Sequence, residues 1–89
     1  MRFWVYVLEC YINKEFRCYY VGQTGNITER MQYHYEAVRE HNTDKFTGRF
    51  DFVKLIWKKE VPTRADALRL ENYLKNLSPD KKEDYIEDN

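Results

Sequence analysis

The stretch YYVGQTGNITERMQYH, Tyr19 to His34, passes from a strand pattern through a turn into a helix pattern, and its reading decides the fold. Arg17 to Gln23 (RCYYVGQ) is aromatic and β-branched, which predicts a strand. Gly25 eases the turn that follows. Asn26 then supplies an N-cap side chain, with an acidic residue, Glu29, three positions later, so a helix should run from Ile27 to about Glu40. Met31, Tyr35 and Val38 recur at helical spacing as its core stripe, and Arg30 and His34, at i and i+4, lie on an adjacent face.

Upstream, Phe3 to Glu9 (FWVYVLE) is a second strand pattern, and the short connection YINKEF makes an antiparallel hairpin the simplest joining of the two. In a pleated strand Trp4, Tyr6 and Leu8 share one face and Phe3, Val5 and Val7 the other. Tyr6 and Tyr20 therefore project from neighbouring strands onto one surface. Downstream, Phe52 to Val61 (FVKLIWKKEV) predicts a third strand, ended by Pro62. A second helix follows, capped by Thr63 with Asp66 in its first turn and continuing through Leu68, Leu70, Leu74 and Leu77. Ser78 and Pro79 read as the N-cap and first residue of a short terminal helix. No repeat, linker or low-complexity segment interrupts the 89 residues, so the expectation is one α+β domain: a three-stranded antiparallel sheet flanked by helices.

A chain of this length has room for one modest core, so a large substrate must bind on its surface. A 43% hydrophobic content with 17% aromatics is globular, and no apolar run approaches the roughly 20 residues that cross a bilayer. Nothing near Arg2 reads as a signal peptide, and a cytoplasmic location without membrane association is expected. Cys10 and Cys18 are too few for a disulfide scaffold and read as free thiols; with His34 and His41 they lack the short spacings of structural zinc sites. Net charge is zero, yet residues 80–89 set only Lys81 and Lys82 against Asp80, Glu83, Asp84, Glu87 and Asp88. The acidic tail leaves a basic excess over the rest of the chain, compatible with nucleic acid or with an ordinary solvated surface.

Glu71 is the unusual residue of the second helix. Its neighbours at three and four positions are Ala67, Leu68, Leu74 and Lys75, three of them apolar. A carboxylate so placed is a boundary residue, one half of a salt bridge, or a metal ligand.

WVYVL followed by YYVGQTGNITERMQYH resembles the two-part signature of the GIY-YIG nuclease family. Trp4-Val5-Tyr6 stands for the first triplet and Tyr20-Val21-Gly22 for the second. The family's helical arginine falls on Arg30, the aromatic or histidine position one turn later on His34, and its acidic metal ligand on Glu71 in RADALRLENYLK. The match runs from about Phe3 to Lys82 and is most similar to small standalone members. Trp4 replaces the first glycine, and Gln23 stands where some repair nucleases of the family carry a lysine.

The resemblance implies a GIY-YIG-like fold and a divalent-metal-dependent endonuclease acting on DNA. Glu71 would hold Mg²⁺ or Mn²⁺, which a single carboxylate with several retained waters suits better than a softer metal. Arg30 would clamp a phosphate with its planar fork of donors. Tyr6 would act as base or orient water, with His34 as its proton acceptor and Tyr20 as partner, the two tyrosines being interchangeable at this level. Gly22 allows close approach of the backbone to the first helix or substrate, or marks a bulge before the turn. Lys45, Arg49, Arg64 and Lys75 are candidates for backbone phosphates. With no recognition helix or zinc finger, the expected readout is of DNA structure or flexibility rather than sequence. A nucleic-acid-binding module without catalysis and a small protein-interaction domain are the alternative readings. Tyr6, Tyr20, Arg30, His34 and Glu71 are expected on one concave face of the sheet.

Overall fold

The computed structural model describes residues 2–89. Its first two strands, β1 (Phe3–Ile12) and β2 (Glu15–Thr24), are joined by Asn13 and Lys14 alone. These two residues take φ of 53° and 68°, the sign that a type I′ hairpin turn demands at both central positions. The strands are longer than their hydrophobic pattern predicts, because the tight turn carries pairing through YINKEF until Ile12 faces Glu15. The third strand, β3 (Phe52–Val61), has the predicted bounds and pairs antiparallel with the other side of β1, giving the order β2-β1-β3. Each pairing contains one irregularity, and in each the extra residue lies on the outer strand: Arg17 in β2 and Ile56 in β3.

Local capping sets the helix starts. Asn26 accepts from the Glu29 backbone N–H at the head of α1 (Ile27–Arg39), Thr63 from Asp66 at α2 (Arg64–Lys75), and Ser78 from Lys81 at α3 (Pro79–Asp88). A single 3-10 turn, Phe46–Arg49, lies between α1 and β3. None of the helices among the described residues is long and apolar enough to cross a membrane.

Because β1 is central, both of its faces need cover, and Val5, Tyr6, Val7 and Leu8 are all fully buried. Val5 and Val7 join Val21, Trp57 and Val61 under Ala67 and Leu74 of α2, with Tyr85 and Ile86 of α3 packed against them. Tyr6, Leu8 and Cys10 project the other way and pack with Met31 of α1, Phe50 and Val53. Two helix faces differ from expectation. His34 and Ala37 are buried beside Met31 in α1 while Tyr35 is about half exposed, so the inward stripe is rotated toward His34. In α2, Ala67 takes the inward position and Leu68 faces solvent, since an alanine lets the helix sit closer to the valine-lined sheet.

Candidate active site

Gly22 lies directly opposite Tyr6 in the β1–β2 register. A Cβ at Gly22 would sit 2.5 Å from Tyr6 Oη, 2.6 Å from its Cζ and 3.0 Å from Tyr20 Cε1. The missing side chain is thus the space that the Tyr6 phenol occupies. Gly22 is neither a bulge, since the register does not shift there, nor close to the first helix: the group that approaches it is the Tyr6 ring of the neighbouring strand.

Tyr6 Oη meets His34 Nε2 at 2.7 Å, and His34 Nδ1 meets Thr47 Oγ1 of the 3-10 turn at 3.1 Å. All three residues are buried, Thr47 at 1% exposure and His34 at 2%. Each hydroxyl can donate or accept, so either neutral imidazole tautomer satisfies both ring nitrogens. Burial, reinforced by the Arg30 charge, holds His34 down to about 4, so the ring is neutral near pH 7. Burial also lifts the Tyr6 phenol well above the ordinary range, and Arg30 only partly opposes it. A base role for Tyr6 at neutral pH would need neighbouring cations to lower its phenol, and here they do not: His34 is uncharged, and desolvation outweighs the one guanidinium. A resident phenolate is therefore not what this site offers.

Arg30 is half-buried beside these groups. Burial works against its charge, but the hydroxyls of Tyr6 and Tyr20 outweigh that and raise its pKa. Its guanidinium packs 4.6 Å from the centre of the Tyr33 ring, a ring that also receives Lys45 Nζ at 4.1 Å. Arg30 Nε is buried without a hydrogen-bond partner. Such an orphaned donor is costly unless a bound acceptor supplies what the protein does not. Tyr20 completes the cluster, its ring centre 5.1 Å from that of His34 and 6.2 Å from that of Tyr6.

Glu71 departs from the one-face expectation. Tyr6, Tyr20, Arg30 and His34 gather on the α1 side, whereas α2, which carries Glu71, covers the opposite face of the sheet. The cause is the valine stripe of β1 and β2, which needs an apolar partner that α2 supplies through Ala67, Leu70 and Leu74. The Glu71 side chain is 15% exposed and pairs with Lys75 at 3.6 Å. β2 is an edge strand, however, and a groove of about 260 Å³ crosses its rim, lined by Tyr20 and Phe46 from one face and by Lys75 and Lys82 from the other. Glu71 itself does not line that groove; it lies one helical turn before Lys75, which does.

The remaining predicted cations take varied places. Arg49 lies over the Phe46 ring at 5.7 Å, at the same rim, and Arg64 lies over Phe3 at 5.7 Å, at the start of α2. Three residues of the neighbourhood were not anticipated. Thr47 holds the imidazole; Phe46 stacks on Tyr20 at 5.4 Å and 28°; Lys82, from the acidic tail, is buried with its Nζ donating to the Leu77 carbonyl at the end of α2. The available signal for the first two was KFTGRF, two phenylalanines around a threonine and a glycine in an otherwise polar connection. Lys82 had none.

Among the described residues no group of three or more His, Cys, Asp or Glu side chains could hold a metal ion. A lone carboxylate fits only a hard cation that keeps most of its water and takes its other ligands from a substrate phosphate.

Comparison with known proteins is consistent in kind. The family model described as the GIY-YIG catalytic domain matches residues 2–84. The UPF0213 protein YazA of Bacillus subtilis (strain 168) is 31% identical over 83 residues, 93% of this chain and 76% of that protein. The solution NMR structure of the UPF0213 protein BH0048 from Bacillus halodurans superposes with a TM-score of 0.57 at 28% identity, covering 98% of this chain and 84% of the other.

Proposed function

Because the chain belongs to the GIY-YIG family, we propose that it is a divalent-metal-dependent endonuclease that hydrolyses DNA phosphodiester bonds and reads DNA structure or flexibility rather than sequence. The observation that carries this reading is the buried Tyr6–His34–Thr47 chain beside an arginine with an unpartnered Nε–H. It supplies a proton path and an anion site side by side.

With His34 protonated on Nδ1 and donating to Thr47, its Nε2 accepts from the Tyr6 O–H. The Tyr6 oxygen keeps a lone pair for the attacking water. As the water proton moves to Tyr6 Oη, the original phenol proton passes to His34 Nε2, and no free phenolate forms. The Arg30 charge opposes the resulting imidazolium; the anionic phosphodiester bound at Arg30 offsets that charge and raises the basicity of His34 when it is needed. Arg30, half-buried beside the tyrosines, binds the phosphoryl oxygens through the planar fork of its guanidinium. Glu71 would hold Mg²⁺ or Mn²⁺, and the ion when bound neutralises phosphoryl charge and stabilises the leaving alkoxide. Lys75, freed from Glu71, and Lys45, Arg49 and Arg64 contact backbone phosphates. Phe46, exposed on the Tyr20 ring, offers a face for a sugar or an unstacked base.

Supercoiled plasmid should be nicked in Mg²⁺ or Mn²⁺ and left intact with a chelator. Glu71→Gln keeps the side-chain shape and should lower nicking roughly a hundredfold without unfolding the protein. Plasmid left intact in both metals sinks the endonuclease reading; unchanged metal-dependent nicking by Glu71→Gln removes only Glu71 from the site.

A further inference from the structure

The β1–β2 register sets Cys10 directly opposite Cys18. Both belong to the α1 side of the sheet, Cys10 fully buried in the cluster with Leu8, Met31 and Val53, and Cys18 half-buried at its margin. Opposed residues of an antiparallel pair have Cα atoms about 4.5 or 5.5 Å apart, according to whether they exchange backbone hydrogen bonds. Both values fall inside the span of roughly 4.4 to 6.8 Å that a disulfide bridges, so a bond between these thiols asks for rotamer change rather than strand movement. The Asn13–Lys14 turn already holds the two strands in that register.

We propose that Cys10 and Cys18 are a dithiol modification site, at which a low-molecular-weight disulfide such as oxidised glutathione exchanges into an internal cross-strand disulfide. Nothing in the endonuclease reading uses either cysteine, and the two stand or fall separately. The more accessible Cys18 thiolate attacks one sulfur of the oxidised glutathione, forming a mixed disulfide and releasing one glutathione thiolate. The Cys10 thiolate then attacks Cys18 Sγ, breaking the mixed disulfide and releasing the second glutathione. The protons lost by the two cysteines leave on the two glutathione thiols. The protein gives up two electrons, and glutathione disulfide accepts the same two. Burial pushes the Cys10 thiol up to about 12, with Cys18 adding to the effect, so the second step is the slow one.

The bridge would sit two residues before Tyr20 on the same face of β2, next to the irregularity at Arg17, and would pin the strand beneath that ring.

The test incubates the native protein in glutathione buffers of graded oxidised-to-reduced ratio, then quenches with an alkylating reagent and reads intact mass and peptide map. The expected product has lost two hydrogens and both alkylatable thiols together, with the peptides of Cys10 and Cys18 linked within one chain. A glutathione adduct on Cys18 should precede it, and Cys10→Ser should stop at that adduct. Cys18→Ser should leave Cys10 unmodified in the folded protein. A wild-type protein that accumulates only the adduct, links two chains, or keeps both thiols in excess oxidised glutathione overturns the proposal. So does first modification at Cys10.

Discussion

On one side of β1, Val5 and Val7 press against Ala67 and Leu74; on the other, one residue along the same strand, Tyr6 reaches over a glycine to a buried histidine. The α2 and α3 side is dry and aliphatic, with a tryptophan and a tyrosine closing it. Its stability is additive packing. The α1 side buries a phenol, an imidazole, a hydroxyl and part of a guanidinium, and these are tolerable only because each finds a partner or awaits one. A period-two strand thus lets a small domain separate the face that holds it together from the face that does chemistry, with no residues to spare between them.

Tyr6→Phe tests the chemical face most severely. It keeps the ring over Gly22 and deletes the proton path, so nicking should fall by about 10² to 10⁴, while the unpaired His34 Nε2 costs only about 1 to 2 kcal/mol in urea unfolding. Nicking at the wild-type rate would end the relay mechanism. Leu74→Ala is its counterpart on the packing face. It should cost about 3 to 4 kcal/mol, with nicking per folded molecule unchanged; a parallel loss of activity in fully folded protein would mean the faces are not separate.

Acid should strike the two faces unequally. The folded pKa of His34 lies below its unfolded value of roughly 6.5, so its contribution to stability is complete above that value and is lost as pH falls toward about 4. In that window the unfolded chain binds a proton the folded chain refuses, a loss of about 3 kcal/mol at most. Denaturation at pH 7 and pH 4.5 should show a steeper decline in the wild type than in His34→Gln, which cannot titrate; equal declines would show that His34 is not held neutral. Gly22→Ala should cost about 2 kcal/mol, with nicking lost as Tyr6 is pushed off His34. Gly25→Ala, whose new carbon comes no nearer than 3.9 Å to Phe3, is the control and should be close to neutral.

What could be read from the sequence follows the same division. Strand β3 and the caps Asn26, Thr63 and Ser78 are local decisions of the chain, and they lie where their residues predict. The hairpin was legible, though not its length, because YINKEF carries no hydrophobic alternation and its pairing is imposed by the turn. The grouping of Tyr6, Tyr20, Arg30 and His34 on one side followed from resemblance to the ordered family signature, and alternation alone accounts for only the tyrosines. Helical periodicity favoured Tyr35 over His34 for the interior, since it cannot foresee that a tyrosine and a threonine from distant segments will satisfy an imidazole. The side of the sheet on which α2 lies was hidden too. It depends on which face of a doubly buried strand α1 has already taken.

The outer strands have a consequence of another kind. A three-stranded sheet has two open edges for one centre, and each edge is an invitation to another chain's backbone. Here the extra residues Arg17 and Ile56 fall on those outer strands, so neither edge runs straight for its full length. An incoming strand would lose register partway along and meet Glu15 and Arg17 on one side or Lys58 and Lys59 on the other, exposed charges that a stacked copy would have to desolvate. Both devices work against edge-to-edge extension of the small sheet.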